Sequence, residues 1–123
     1  MYTIPFNKPS IVGKEIEYIH QAISAGHISG DGAFTKQCHA LLEEKLGVKK
    51  VLLTTSCTHA LEMAAILLDI QPGDEVIFPS FTFVTTVNAF VLRGAHPIFA
   101  GIHRDTLDIN ETQIEDLITT RTR

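Results

Sequence analysis

The spacing of apolar residues along this 123-residue chain changes near Val51. Before that point they recur every three or four positions: Ile16, Ile19 and Ile23, then Phe34, Cys38, Leu41, Leu42 and Leu46. Such spacing gathers them on one face of a helix, so two helices are predicted. The first has Glu15 and Glu17 near its start, where carboxylates face the positive helix end, and Gly26 placed to end it. The second follows the turn Gly26-His27-Ile28-Ser29-Gly30-Asp31-Gly32 and stops at Gly47.

From Val51 onward, short apolar runs alternate with helical stretches, the pattern of βα units that feed a parallel sheet. A buried strand over 51–55 leads into a helix over 58–69. The turn Gln71-Pro72-Gly73-Asp74 leads into a strand over 75–79, followed by a helix over 82–93 that Gly94 stops, and a strand over 97–102. Asn110-Glu111-Thr112-Gln113 has capping-box spacing, with Asn110 taking the third N–H and Gln113 reaching back, which predicts a last helix over 111–118. Continuously apolar strands must be covered on both sides, so the expected fold is α/β: a mostly parallel sheet with helices on both faces. The expected organisation is a helical lead-in over 1–50 and βα units over 51–123. The alternation demands another strand after the last helix, so the chain reads as the N-terminal portion of a longer polypeptide.

Composition narrows the function classes. With 45% hydrophobic and 20% charged residues the chain is globular in character, and a net charge of −4 with scattered Lys and Arg offers no footprint for a nucleic-acid backbone. The longest apolar run, 60–70, contains Glu62 and Asp69 and is too short to cross a bilayer. The start of the chain lacks the features of a secretory signal, which predicts a cytoplasmic protein. Cys38 and Cys57 have no Cys-x-x-Cys spacing, and the six histidines form no His-x-x-x-His set, so neither a disulfide framework nor a metal site is expected.

The candidate chemistry sits where 51–55 runs into Ser56-Cys57-Thr58. The first N–H groups of a helix have no intrahelical partner and lie at the positive end of the helix dipole, so small residues there create an anion site. The competing reading is an ordinary N-cap, for which Ser and Thr are preferred with or without a ligand. Glycine-rich nucleotide loops are not present. Cys57 could be a nucleophile, but His59, two positions on, points to another side of the helix. Phe83 follows a strand end, where open α/β sheets place ligands; it could stack on a planar ring, or it and Phe81 could be core.

Together these segments resemble the DegT/StrS family of sugar-nucleotide aminotransferases, pyridoxal-phosphate enzymes of the aspartate aminotransferase fold. The resemblance is carried by Ile4-Pro5-Phe6, Ser24-Ala25-Gly26 with Gly30-Asp31-Gly32, Ser56-Cys57-Thr58-His59-Ala60-Leu61, Pro72-Gly73-Asp74-Glu75-Val76, Pro79-Ser80-Phe81-Thr82-Phe83-Val84, Asn88-Ala89 and Arg93-Gly94-Ala95. The segments 67–77 and 88–95 look most like the members that convert dTDP-4-keto-6-deoxy-glucose to a 4-amino sugar for surface polysaccharide or lipopolysaccharide. The resemblance implies the N-terminal part of a fold-type-I large domain, acting in a homodimer with glutamate as amino donor. It implies that Ser56 and the Cys57 and Thr58 N–H groups, with the Thr58 hydroxyl, hold the cofactor phosphate, that Phe83 stacks on the pyridine ring, and, more weakly, that Ser29, Gly30 and Asp31 lie near the sugar nucleotide.

The sequence departs from the family at two places: many members have Gly where Cys57 stands and an acidic residue where Gly101 stands. No catalytic residue is assigned within these residues. The family's Schiff-base lysine and the aspartate that pairs with the pyridine nitrogen both fall beyond Arg123, and Lys8, Lys14, Lys36, Lys45, Lys49 and Lys50 lie in no such motif. Without the lysine these residues are expected to be inactive alone, and, with strand 51–55 waiting for a partner from later in the fold, marginal in stability or insoluble. Two alternatives remain at this point: a truncated, non-catalytic phospholigand-binding or interaction module, and a small flavodoxin-like binder whose three strands pair consecutively.

Overall fold

The computed structural model describes residues 4, 5 and 7–123; Phe6 of the opening motif lies outside the described residues. The chain forms two compact units, one ending at Leu53 and one spanning Thr54–Arg123.

In the first unit, α1 spans Glu15–Ser24 and α2 spans Ala33–Leu46. The Glu15 carboxylate accepts the N–H groups of Val12 (2.7 Å) and Gly13 (2.8 Å) and so fixes the entry to α1. Those bonds, Val12's foremost, hold its pKa below the ordinary value. Gly26 and Gly47 close the two helices in the left-handed region, at φ 69° and 64°. The Tyr18 and Phe34 rings meet at 5.2 Å between the helices. The apolar stripes exist as expected, but no residue of α1 or α2 is buried, and Ile16, Ile19, Ile23, Leu41 and Leu46 are all exposed.

The expected buried strand over 51–55 is not formed. Leu52, Leu53 and Thr55 are exposed, and the backbone pairs with α2 side chains instead of a strand: Val51 N–H donates to Glu43 Oε1 (3.0 Å) and Leu53 N–H to His39 Nε2 (3.0 Å). A strand exists only against a neighbour, and the residues described offer this segment none. That removes the consecutive three-strand alternative.

The second unit is α/β. Its elements are α3 (Cys57–Leu67), β1 (Glu75–Pro79), α4 (Val84–Val91), β2 (His96–Ala100), a 3-10 turn (Glu111–Gln113) and α5 (Ile114–Leu117). β1 and β2 pair in parallel from Glu75 against His96 to Pro79 against Ala100. Pro97 is tolerated because His96 N–H already bonds to Asp74 O (2.7 Å), so the nitrogen of the next residue faces away from β1. On the other edge of β1, Thr122 bridges Glu75 in parallel: Glu75 N–H donates to Arg121 O (2.9 Å) and Arg123 N–H to Glu75 O (3.0 Å). Glu75, a residue 2% exposed, accepts on its carboxylate from Thr119 Oγ1 (2.5 Å) and from Arg121. The Thr119 hydroxyl, followed by the Arg121 charge, holds the Glu75 carboxyl below its ordinary pKa against the opposing effect of burial.

The core joins α3, α4 and the sheet: Ala65, Ile70, Phe78, Ala89, Phe90 and Ala95 are buried together, with Leu61, Val76 and Val87 packed against them. Phe78 and Phe90 meet edge to face at 5.5 Å. The type II turn Gln71-Pro72-Gly73-Asp74 is closed by Asp74 N–H to Gln71 O (3.1 Å), and Gly73 N–H donates to Gly94 O (3.1 Å) at the end of α4. The capping box is not made. Asn110 Oδ1 accepts from Thr112 N–H (3.2 Å), and Gln113, instead of reaching back, accepts from Gly101 N–H (2.7 Å), because Asn110 N–H is already taken by Gly101 O (2.8 Å). The expected 111–118 helix accordingly begins as a 3-10 turn and ends at Leu117.

Candidate functional site

α3 begins at Cys57, one residue before its predicted start. Ser56 is its N-cap: extended in backbone (φ −160°, ψ 161°), it accepts the His59 N–H on Oγ at 3.1 Å. This is the capping role, and it leaves the earlier donors free. Neither Cys57 N–H nor Thr58 N–H has an acceptor among the described residues. Two adjacent donors thus stand at the positive end of an eleven-residue helix that carries no acidic residue in its first turn.

α4 begins beside it. Phe83 is its N-cap residue, and the first turn again contains no acidic residue. The two helix starts are tied by Thr58 Oγ1 and Thr85 Oγ1, 3.1 Å apart, each on the second residue of its helix and each half-buried. Thr86 is engaged elsewhere, accepting from Thr82 Oγ1 at 3.1 Å. Phe83 is 73% exposed and Phe81 61%, which overturns the reading of this pair as core. The structure therefore brings Ser56, Cys57, Thr58 and Phe83 together at the ends of two tied helices. It also adds Thr85, which sequence reasoning missed; its signal was the hydroxyl pair Thr85-Thr86 in the first turn of a helix that follows a strand.

Cys57 is an exposed free thiol, and among the described residues it has no hydrogen bond to an imidazole. His59 Nδ1 is occupied by the Thr55 hydroxyl at 2.5 Å, so the thiol-imidazole pair of a cysteine hydrolase is not made. Ser29, Gly30 and Asp31 lie in the first unit, in a turn held by His27, whose Nε2 approaches Gly30 O (3.1 Å) and Ser29 Oγ (3.3 Å); Asp31 takes a left-handed φ of 62°. Among the described residues no cluster of His, Cys, Asp and Glu could hold a metal, and no helix is long and apolar enough to cross a membrane.

Residues 9–123 match the profile of the DegT/DnrJ/EryC1/StrS aminotransferase family. The chain belongs to this family. Among its curated relatives is the GDP-perosamine synthase of Escherichia coli O157:H7, 34% identical over 123 residues, all of this chain and 34% of the synthase. Among solved structures, Spr1654 from Streptococcus pneumoniae, in its PLP-form and PMP-form, superposes with a TM-score of 0.84 at 31% identity over 99% of this chain and 31% of its own. The aminotransferase TlmJ from Streptoalloteichus hindustanus gives 0.85 at 32% identity, covering 94% of this chain and 32% of its own. The chain thus spans about a third of the length of the relatives it matches.

Proposed function

We propose that this chain supplies the phosphate-binding and ring-stacking part of the pyridoxal-phosphate site of a sugar-nucleotide aminotransferase. The observation that carries the reading is the pair of tied helix starts, with unpaired Cys57 and Thr58 N–H groups beside an exposed Phe83. A phosphate ester fits there: it needs donors, finds two on the main chain and meets no acidic side chain in either first turn. Ser56 fixes the start of α3, the two N–H groups and the Thr58 hydroxyl bind the phosphate, and Phe83 covers one ring face and excludes water. Bound there, the cofactor supplies an electron sink for chemistry at an amino-bearing carbon.

The substrate proposed is a nucleotide-linked 4-keto-6-deoxy sugar, with glutamate as amino donor and surface-polysaccharide synthesis as destination, in a cytoplasmic homodimer. Ser29, Gly30 and Asp31 are proposed to lie near the sugar nucleotide. The Schiff-base lysine is proposed to lie outside these residues, since none of Lys8, Lys14, Lys36, Lys45, Lys49 and Lys50 stands in the family's Schiff-base motif, and residues 1–123 alone are proposed to be inactive. On the 67–77 and 88–95 segments the nucleotide is proposed to be dTDP.

The test uses the natural polypeptide that carries this sequence. It should bind pyridoxal phosphate, and Phe83→Ala should weaken that binding about three- to tenfold, the scale of one aromatic stacking contact. Unchanged affinity in Phe83→Ala would remove the ring-stacking role. Turnover of dTDP-linked against GDP-linked 4-keto-6-deoxy sugar then decides the nucleotide.

A further inference from the structure

Two hydroxyls 3.1 Å apart share one hydrogen bond, and which of them donates is set by what else is present. A phosphate at the start of α3 accepts hydrogen bonds and does not give them. To bind it, Thr58 must turn its own proton toward the phosphate, which leaves the Thr58 oxygen in need of a donor. In the structure Thr58 Oγ1 donates to Thr85 Oγ1, and the Thr85 proton has no acceptor among the described residues, so with a phosphate present the bond can reverse and Thr85 become the donor. Thr85 is the hydroxyl of α4 that lies against Thr58, whereas Thr86 accepts from Thr82. Hydrogen bonds in such a chain polarise one another, so a donor behind Thr58 strengthens the bond in front of it.

We propose that Thr85 is a positioning residue for the cofactor phosphate, donating to Thr58 Oγ1 so that the Thr58 hydroxyl points its proton at the phosphate. The proposal rests on the cofactor reading above. Thr85 touches no part of the cofactor; it acts across the junction of α3 and α4, through one oxygen.

The role separates pyridoxal phosphate from pyridoxal, which has the same ring without the phosphate. In the natural polypeptide, Thr85→Val keeps the shape of the side chain and removes the donor. It should weaken pyridoxal phosphate about two- to tenfold, the range for one neutral hydrogen bond, and leave pyridoxal affinity unchanged. Thr85→Ser, which restores the hydroxyl, should recover the loss. In a Thr58→Val background Thr85→Val should cost nothing further, because the relay is already cut. Thr85→Ala serves as a second donor-less variant if the valine does not fold, with pyridoxal binding as the internal check on the site. Equal loss of both ligands, no loss of either, or full additivity with Thr58→Val would overturn the role of Thr85 while leaving the cofactor reading intact. A wild-type protein that binds pyridoxal phosphate no better than pyridoxal would overturn the phosphate reading itself.

Discussion

Gly73 and Gly94 form a matched pair for measuring one close approach. Both hold a positive φ, 92° and 91°, so an alanine at either carries similar backbone strain, about 1–2 kcal/mol. Both also gain about 0.4–1 kcal/mol from stiffening the unfolded chain, which cancels in the comparison. Their surroundings differ. A Cβ at Gly73 meets nothing within 4 Å, whereas one at Gly94 would lie 2.9 Å from Pro72 Cα and 3.0 Å from Pro72 Cβ and Cγ. Pro72 cannot swing aside, because its ring is fixed in the turn that launches β1. The overlap adds an overpacking cost of about 1–3 kcal/mol. Gly94→Ala should therefore be less stable than Gly73→Ala by that amount, read as the difference in urea midpoints at constant slope in the natural polypeptide. Stabilities that agree to within about 0.5 kcal/mol, taken as the midpoint difference multiplied by the slope, would show that the turn and the end of α4 do not touch as described.

Two further outcomes follow from the local bonding. Ser56→Ala should cost about 1 kcal/mol through loss of the cap to His59 N–H, and Ser56→Gly only a few tenths, measured in the same urea assay; equal stability of serine and alanine would deny the cap. His103 Nε2 lies 2.8 Å from Glu111 Oε2, a contact that raises the His103 pKa above 6.5 and lowers that of Glu111 below 4.5. The histidine's contribution is complete below pH 6.5 and is lost as pH rises through its raised pKa. The glutamate's is complete above pH 4.5 and is lost as pH falls through its depressed one. In Glu111→Gln the His103 pKa, followed by NMR, should fall back toward 6.5, and an unchanged titration would refute the pairing.

What the sequence reveals depends on how local the cause is. β1 falls on Glu75–Pro79 as predicted because the turn before it and the apolar run within it are both local signals. Gly47 ends α2 for the same reason: a left-handed residue closes a helix wherever it sits. The segment 51–55 is apolar enough to be a strand, but strandness is a relation to a neighbour, and α2 supplies the acceptors that Val51 and Leu53 use instead. Gln113 was misplaced because its partner, Gly101, is distant in sequence and offers a free N–H. At the candidate site, Ser56, Cys57 and Thr58 could be read from the order of small residues before a helix. The Thr85-Thr86 pair is visible in the same way, but which of its hydroxyls matters is decided by contact with a helix that starts 28 residues before Thr85, at Cys57.

The Gln113 amide also bears on how this sequence can diverge from its relatives. It occupies the space beside Gly101, where an added Cβ would lie 2.9 Å from its Oε1. A side chain at 101 would meet only the far end of the flexible Gln113 side chain, which can swing aside at the cost of its hydrogen bond from Gly101 N–H, so the two positions are coupled through that one bond.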